Sequence, residues 1–464
     1  MNVVFTAAEA VPFAKTGGLA DVIGALPVAL AETGCRVRVI LPFYKTVREG
    51  DFGFQKILPD VYRKKWTDGV DFYFIDQKAY FDRDGLYGTE EGDYPDNFDR
   101  FTFFAKRVLG FLKQQGEKVD VLHCHDWHTA LIPLFLKAHY KEDNFFKKTK
   151  SVLTIHNLAF QGLFPATYFP KLEIDEEFLS EKGLLFYEKL NFLKGGILTA
   201  DQVTTVSEEY AREIKTKDFG CGLEKELSSL KKPVLGILNG IDKTIWNPAA
   251  DPLIFECFDA SSFKEAKEEN KRHLREQFRL KEDPQRLVLG FVGRISHQKG
   301  LDLMIEAVSQ LKDFPVQLIL QGVGDPDLQK KLRDIRTAYK NWMVYFDGFD
   351  ESIAHRIYAG SDFFLIPSIF EPCGLSQMIA MRYGTIPIAA PTGGLVDTVK
   401  NDQNGILMKK SSAKALVEAV KQAVAIFKAK DKLNQIRRTA MHTHFGWEES
   451  AHKYKDLYQW LLSA

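Results

Sequence analysis

Two loops in this chain set cations and glycines where an anion could be held. Lys15-Thr16-Gly17-Gly18 runs into Leu19, Val22, Ile23, Leu26 and Leu30, apolar at helical spacing. An ammonium two residues ahead of two glycines at a helix start suits a phosphate, although a solvated loop lysine would look the same. The pattern is neither the dinucleotide GxGxxG nor a P-loop. Gly293-Arg294-Ile295-Ser296-His297-Gln298-Lys299-Gly300 follows a strand-like run and precedes a helix-like one. Open α/β sheets bind ligands at the carboxyl ends of their strands, so Arg294 and Lys299 read as two cations for a diphosphate, or as two exposed cations with no shared target. Phe370-Glu371-Pro372-Cys373-Gly374-Leu375-Ser376 has the same setting, with Glu371 either meeting a helix dipole or accepting from sugar hydroxyls. Cys373 has no histidine beside it that would make it a nucleophile. Thr392-Gly393-Gly394-Leu395-Val396-Asp397 echoes Thr16-Gly17-Gly18-Leu19-Ala20-Asp21. Either tight turns into helices favour this pattern, or Gly18, Gly393 and Gly394 each lend free backbone N–H groups to one ligand.

His123-Cys124-His125-Asp126-Trp127-His128 has the composition of a metal cluster. Strand alternation puts His123 and His125 on one face and Cys124 on the other, so the six cannot converge and no metal site is expected. Asp126 is the better site candidate, and His156, ending the run Thr154-Ile155-His156-Asn157, should lie near it. The segment 80–101 carries Tyr87, Tyr94, Phe98 and Phe101 among glycines and aspartates, a composition that suits sugar faces and ordinary loop packing alike.

Strand-like runs at 3–6, 37–41, 70–75, 119–124, 151–155, 203–206 and 234–238, with helical segments between most of them, imply a largely parallel sheet. The rhythm repeats at 287–292, 316–320, 343–346, 363–366 and 386–389 as a second α/β domain. Turn chemistry between 240 and 252 marks the boundary, giving domains 1–242 and 243–446 with a helix at 447–464. The charged helix 264–279 reads as a linker or surface decoration.

With 464 residues the chain is about twice the size at which one core stops growing, so two domains are expected. Sixty-two Lys and Arg balance 62 Asp and Glu, which gives no global field for nucleic acid or an anionic membrane. No apolar stretch approaches a membrane span, and no basic segment precedes an apolar one at the start, so neither an anchor nor a cleaved leader is expected. Cysteines at 35, 124, 221, 257 and 373 are odd in number and lack CxxC spacing, as in a cytoplasmic protein with reduced thiols.

The chain resembles the bacterial glycogen synthases and plant starch synthases that use ADP-glucose. The likeness rests on Lys15 to Val22, His125 to His128, His156-Asn157-Leu158-Ala159-Phe160-Gln161-Gly162, Leu238-Asn239-Gly240-Ile241-Asp242, Arg294 to Leu303, Phe370 to Leu375 and Thr392 to Asp397, in order along almost the whole chain. The resemblance implies a GT-B fold: two Rossmann-like domains facing each other across a deep cleft, with the last helix crossing back to the first. It also implies retaining transfer of glucose from ADP-glucose to the non-reducing end of an α-1,4-glucan, with neither a metal nor pyridoxal phosphate. Lys15 then belongs to the donor site on the first domain, Arg294 and Lys299 to the diphosphate, and His156 and Glu371 lie close to the transferred glucose. Asn239, Cys373, Gly374, Leu375 and Ser376 line the donor, while Asp21, Asp126, Tyr87 and Tyr94 are candidate sugar or acceptor contacts. Related enzymes carry a second glutamate eight residues after the first; here that position is Ile379, which leaves one acid and favours a same-face mechanism. Lys15 in one domain and Arg294 with Lys299 in the other could meet one ligand only on closure. A phosphorolytic enzyme and a non-catalytic glucan-binding protein are the other readings on this fold.

Overall fold

Val3, Val4 and Phe5 expose nothing on either face of their strand, as the centre of a parallel sheet covered on both sides requires. In the computed structural model, which describes residues 1–89 and 91–463, the chain forms two compact units: Met1–Gly240 with Trp447–Ala464, and Ile241–Gly446. Residue 90 of the aromatic segment lies outside the described residues.

The first unit is built on nine strands: β1 (Asn2–Thr6), β2 (Arg36–Pro42), β3 (Gln55–Leu58), β4 (Val61–Thr67), β5 (Val70–Ile75), β6 (Val121–His125), β7 (Lys150–Ile155), β8 (Gln202–Thr205) and β9 (Leu235–Gly236). They pair in the order β9-β8-β7-β6-β1-β2-β5-β4-β3. All neighbours are parallel except the β5-β4-β3 edge, which is antiparallel. The parallel part therefore brings the ends of β1, β6 and β7 to one edge. Ala451, Tyr454, Leu457, Tyr458 and Leu461 are buried on one face of the helix Trp447–Ser463, which packs on the helix Gly18–Glu32. Its Lys455 ammonium donates to the carbonyl of Thr33 at 2.6 Å.

The second unit holds six parallel strands: β10 (Leu287–Val292), β11 (Val316–Gly322), β12 (Met343–Asp347), β13 (Phe363–Ile366), β14 (Ile386–Ala389) and β15 (Ile406–Leu407). Their order is β12-β11-β10-β13-β14-β15, so β10, β13 and β14 are adjacent or nearly so, and their exits form a second edge. Leu289, Phe291, Leu318, Leu365 and Ile388 join Leu301, Met304, Leu416 and Val420 in its core.

The charged helix overturns its expected surface role. The helix Phe263–Gln277 buries Lys267, Lys271 and Arg275 along with Leu274. Each cation enters the interior because acceptors await it there. Lys267 Nζ donates to the carbonyls of Ala359 and Tyr383 and to Thr385 Oγ1. Arg275 reaches Gln317, Glu282 and the carbonyl of Arg286. Lys271 lies 3.2 Å from the buried carboxylate of Asp362, which Arg437 also meets, at 2.6 Å. Burial pushes the Asp362 carboxyl up, but Lys271 and Arg437 outweigh it and hold it down to about 2. The unit therefore keeps this contribution at neutral pH and loses it only as pH falls below the ordinary carboxyl range towards 2. Asp362→Ala would take the carboxylate from the buried Arg437 and leave Lys271 only the half-exposed Glu268, and it should cost about 3–5 kcal/mol, read as a lowered urea midpoint for the second unit's transition at pH 7.

Candidate functional site

At the exits of β1, β6 and β7 the first unit gathers polar groups that have left water. Glu9, 3% exposed, is a residue the sequence reading missed. Its carboxylate accepts from the Thr16 N–H at 2.5 Å, the Thr16 hydroxyl at 2.6 Å, the Gly17 N–H at 3.1 Å and the Tyr87 hydroxyl at 2.6 Å. A lone acid among Ala7, Ala8 and Ala10 was the available signal. This anchor shapes the loop that carries Lys15, whose exposed ammonium pairs with Asp21 at 2.6 Å. The Gly17 N–H is thereby engaged by Glu9. A Cβ at Gly17 or Gly18 would meet nothing within 4 Å, and Gly17 has an extended φ of −156°, so the protein itself does not require glycine there.

His125 ends β6, and Asp126 turns the chain with φ of +56°, a left-handed conformation that Asp tolerates better than most residues. The Asp126 carboxylate accepts the His156 N–H at 2.7 Å, which brings the two candidates together. Burial pushes this carboxyl up to about 7, although the N–H groups of His156 and Asn157 favour its anion. His156 Nε2 lies 2.9 Å from His125 Nδ1, and burial holds the His156 ring neutral, down to about 3. His123 and His125 do share a face, with ring centroids 4.2 Å apart. Among the described residues no group of three or more His, Cys, Asp or Glu is disposed to hold a metal.

The aromatic segment divides. Tyr87 joins the site through Glu9, its ring stacked on His128 at 4.5 Å. Tyr94 is spent within its own loop: its hydroxyl donates to the carbonyl of Asp84, and its ring lies beneath the guanidinium groups of Arg83 and Arg100. Phe98 and Phe101 are fully buried against Phe164, Phe192 and Trp127, so they are core residues and present no face to a sugar. Asn239 is buried beyond β9.

In the second unit the loops after β10, β13 and β14 interlock. Gly300, with φ of +71°, lies where a Cβ would come within 2.0 Å of the Pro367 carbonyl oxygen, so only glycine lets the β10 loop pass the end of β13. Gly394 donates its N–H to the Glu371 carbonyl at 3.1 Å, and a Cβ there would meet the Cys373 oxygen at 2.3 Å. Its N–H is thus engaged, which corrects the expectation of a free donor, and Gly393 at φ of +45° makes the turn that delivers it. Gln377, also missed from sequence, is fully buried and donates to the carbonyls of Cys373 and Gly374, holding the Phe370 to Ser376 loop in shape; Leu375 and Ser376 begin the helix there. Lys299 Nζ stands 2.6 Å from Glu371 Oε2, and the Ser368 hydroxyl donates to the same oxygen at 2.9 Å. Arg294 lies exposed in the same loop, with no ion-pair partner among the described residues.

A buried carboxylate at the strand exits of each α/β unit, Glu9 in the first and Glu371 against Lys299 in the second, is the framework on which the comparisons with known proteins bear. Residues 2–229 match the starch synthase catalytic domain and residues 272–440 the glycosyl transferases group 1. A glycogen synthase of Thermodesulfovibrio yellowstonii is 41% identical, with 100% of this chain and 98% of the relative covered. Glycogen synthase 2 of Geobacter sulfurreducens is 42% identical, with 99% and 98% covered. The catalytic domain of starch synthase IV from Arabidopsis thaliana, solved bound to ADP and acarbose, matches with a TM-score of 0.91 and 33% identity over 100% of this chain and 99% of that one. Fold and site together define a glycosyltransferase of the GT-B class. More narrowly, the chain belongs to the glycogen and starch synthase family.

Because the Asp126 carboxyl titrates higher folded than unfolded, the folded state holds the extra proton between about pH 4 and 7, and stability falls as pH rises through that window. Asp126→Asn removes the titration and keeps an acceptor for His156. Its melting temperature relative to the unsubstituted protein should climb from pH 4 to 7 and level off above; a flat difference would contradict the raised carboxyl.

Proposed function

We propose that this chain is an ADP-glucose-dependent glycogen synthase, which transfers glucose to the non-reducing end of an α-1,4-glucan with retention of configuration and works in the cytoplasm. The observation that carries the reading is the Lys299–Glu371 contact of 2.6 Å, which sets a cation and a hydroxyl-accepting carboxylate at one point of the second unit. A sugar joined to a diphosphate presents an anion and hydroxyls side by side, which a neighbouring cation and carboxylate can share between them. On this reading Lys299 turns from Glu371 to the diphosphate when the donor enters, and Ser368 keeps the carboxylate in place. Arg294 adds its planar fork to the same phosphates. Within the first unit, the open space around Gly17 and Gly18 would let an anionic ligand come close to the backbone, with Lys15 nearby.

Glu371 is the only carboxylate of its loop, since Ile379 stands where related enzymes have a second. We therefore favour a same-face reaction: the bond from glucose to the phosphate oxygen breaks, the acceptor hydroxyl oxygen bonds to that carbon from the same side, and its proton passes to the leaving ADP. Glu371 would stabilise the positive charge that gathers on the ring, and Arg294 with Lys299 the negative charge on ADP. Neither a metal nor pyridoxal phosphate has a part in this scheme.

Incubation with a glucan primer and either ADP-glucose or UDP-glucose, with nucleotide release measured, tests the reading. Release with ADP-glucose in the presence of EDTA is expected; release only with UDP-glucose, or only after a divalent ion is restored, would overturn the donor or the metal-free scheme. Glu371→Ala should lower kcat by about 10- to 150-fold, the loss of one charge-assisted contact, and change the KM for donor far less.

A further inference from the structure

His156 is gripped by two consecutive residues of the neighbouring strand end: Asp126 takes its backbone N–H at 2.7 Å, and His125 meets its ring at 2.9 Å. A hydrogen bond between two ring nitrogens needs one proton on the shared axis, so one ring donates and the other accepts. Burial holds both rings neutral, His125 well below its ordinary value, which leaves two arrangements. Either His125 carries its proton on Nδ1 and gives it to His156, or His156 carries its proton on Nε2 and gives it to His125.

The surroundings of His125 decide between them. Its other nitrogen, Nε2, is buried and has no hydrogen-bond partner among the described residues. Phe5 stacks on the ring at 5.1 Å and 22°, and His123 lies at 4.2 Å with its own nitrogens already engaged by the Tyr458 hydroxyl and Thr154 Oγ1. A proton on His125 Nε2 would be a buried N–H with no acceptor, a situation folded proteins almost never tolerate, whereas an unpaired acceptor is less rare. Packing against Phe5 and His123 holds the ring in place. The His125 N–H donates to Thr129 Oγ1 at 2.7 Å, and that hydroxyl donates back to the His125 carbonyl at 2.9 Å, which locks the backbone from which the ring projects.

We propose that His125 is a positioning residue for glucosyl transfer: by donating Nδ1–H to His156 Nε2 it fixes His156 as the Nδ1–H tautomer, so that His156 offers the substrate a hydrogen-bond donor. A donor there can serve a sugar hydroxyl oxygen at every stage of the reaction, since the neutral ring has no acceptor nitrogen left to present. The inference rests on the function proposed above, and its two halves can fail separately.

The test uses the full chain labelled with 15N-histidine. Long-range proton–nitrogen spectra, with His156 assigned from the signals lost in His156→Gln, should show a protonated Nδ1 and a bare Nε2 in His156. His125→Phe keeps a ring between Phe5 and His123 but removes the donor, and His125→Asn returns an amide N–H near the place of Nδ1. We expect His125→Phe to release the His156 tautomer and lower kcat by about 3- to 10-fold, the worth of one neutral hydrogen bond, with a smaller change in KM for ADP-glucose. His125→Asn should recover most of both. A His156 protonated on Nε2 in the unsubstituted protein overturns the proposal, and so does a folded His125→Phe with unchanged kcat. Should His125→Phe not fold, the spectrum of the unsubstituted protein and the His125→Asn kinetics decide. Loss of nucleotide release from the unsubstituted protein would instead remove the functional reading while leaving the tautomer result standing.

Discussion

Glu9 exchanges water for four hydrogen bonds from its own chain, and the first unit's site is arranged around that exchange. A carboxylate 3% exposed has to be satisfied by donors, and the donors it recruits come from two loops separated by some seventy residues of sequence, about 70 between Gly17 and Tyr87. The bend of the Thr16–Gly17 backbone, the place where the helix Gly18–Glu32 begins and the stacking of Tyr87 on His128 all follow from one buried charge. Lys15 is left outside this network on an exposed arm, where its pairing with Asp21 is weak enough to be given up for a stronger anion.

The second unit solves the same difficulty with the opposite sign. Its interior holds Lys267, Lys271, Arg275 and Arg437, and the cost of burying each is offset by carbonyls, amides and Asp362 supplied from several strands and helices. Such a core tolerates little sliding, since a displacement of one helix strands a cation without its acceptor. The loops at the strand exits inherit that rigidity. Gly300 and Gly394 then allow them to approach closely enough for Lys299 to reach Glu371.

The parallel strands and the strand-exit loops could be read from residue types, because apolar runs bounded by Gly, Asp and Asn have few other ways to fold. The pairing of His156 with Asp126 was legible for the same reason: both end neighbouring strands. What sequence could not convey was which polar residues face inward. Lys267 and Lys271 have the pattern of a solvated helix face, and only the carbonyls and carboxylate of distant segments make them interior. For Phe98 and Phe101 both readings stood open, since an aromatic segment in sequence says nothing of whether its rings point at a ligand or at Phe164 and Trp127, and the structure packs them in the core. Glu9 and Gln377 escaped notice because their partners are largely backbone groups and, for Glu9, a tyrosine 78 residues away, none of which a local motif identifies.

The helix Trp447–Ser463 buries its apolar face on the first unit, yet it is encoded after the whole of the second. On the ribosome the first 240 residues therefore emerge without the segment that covers the helix Gly18–Glu32 and supplies the Tyr458 hydroxyl to His123. At about 5–20 residues per second, the roughly 200 intervening residues impose a wait of roughly 10 to 40 s, during which an apolar surface stands uncovered. The second unit meets no such delay, because its segments are contiguous. The order of synthesis thus runs against the order of completion: the unit made first is finished last, and the nascent chain is exposed to chaperones and to self-association over that interval.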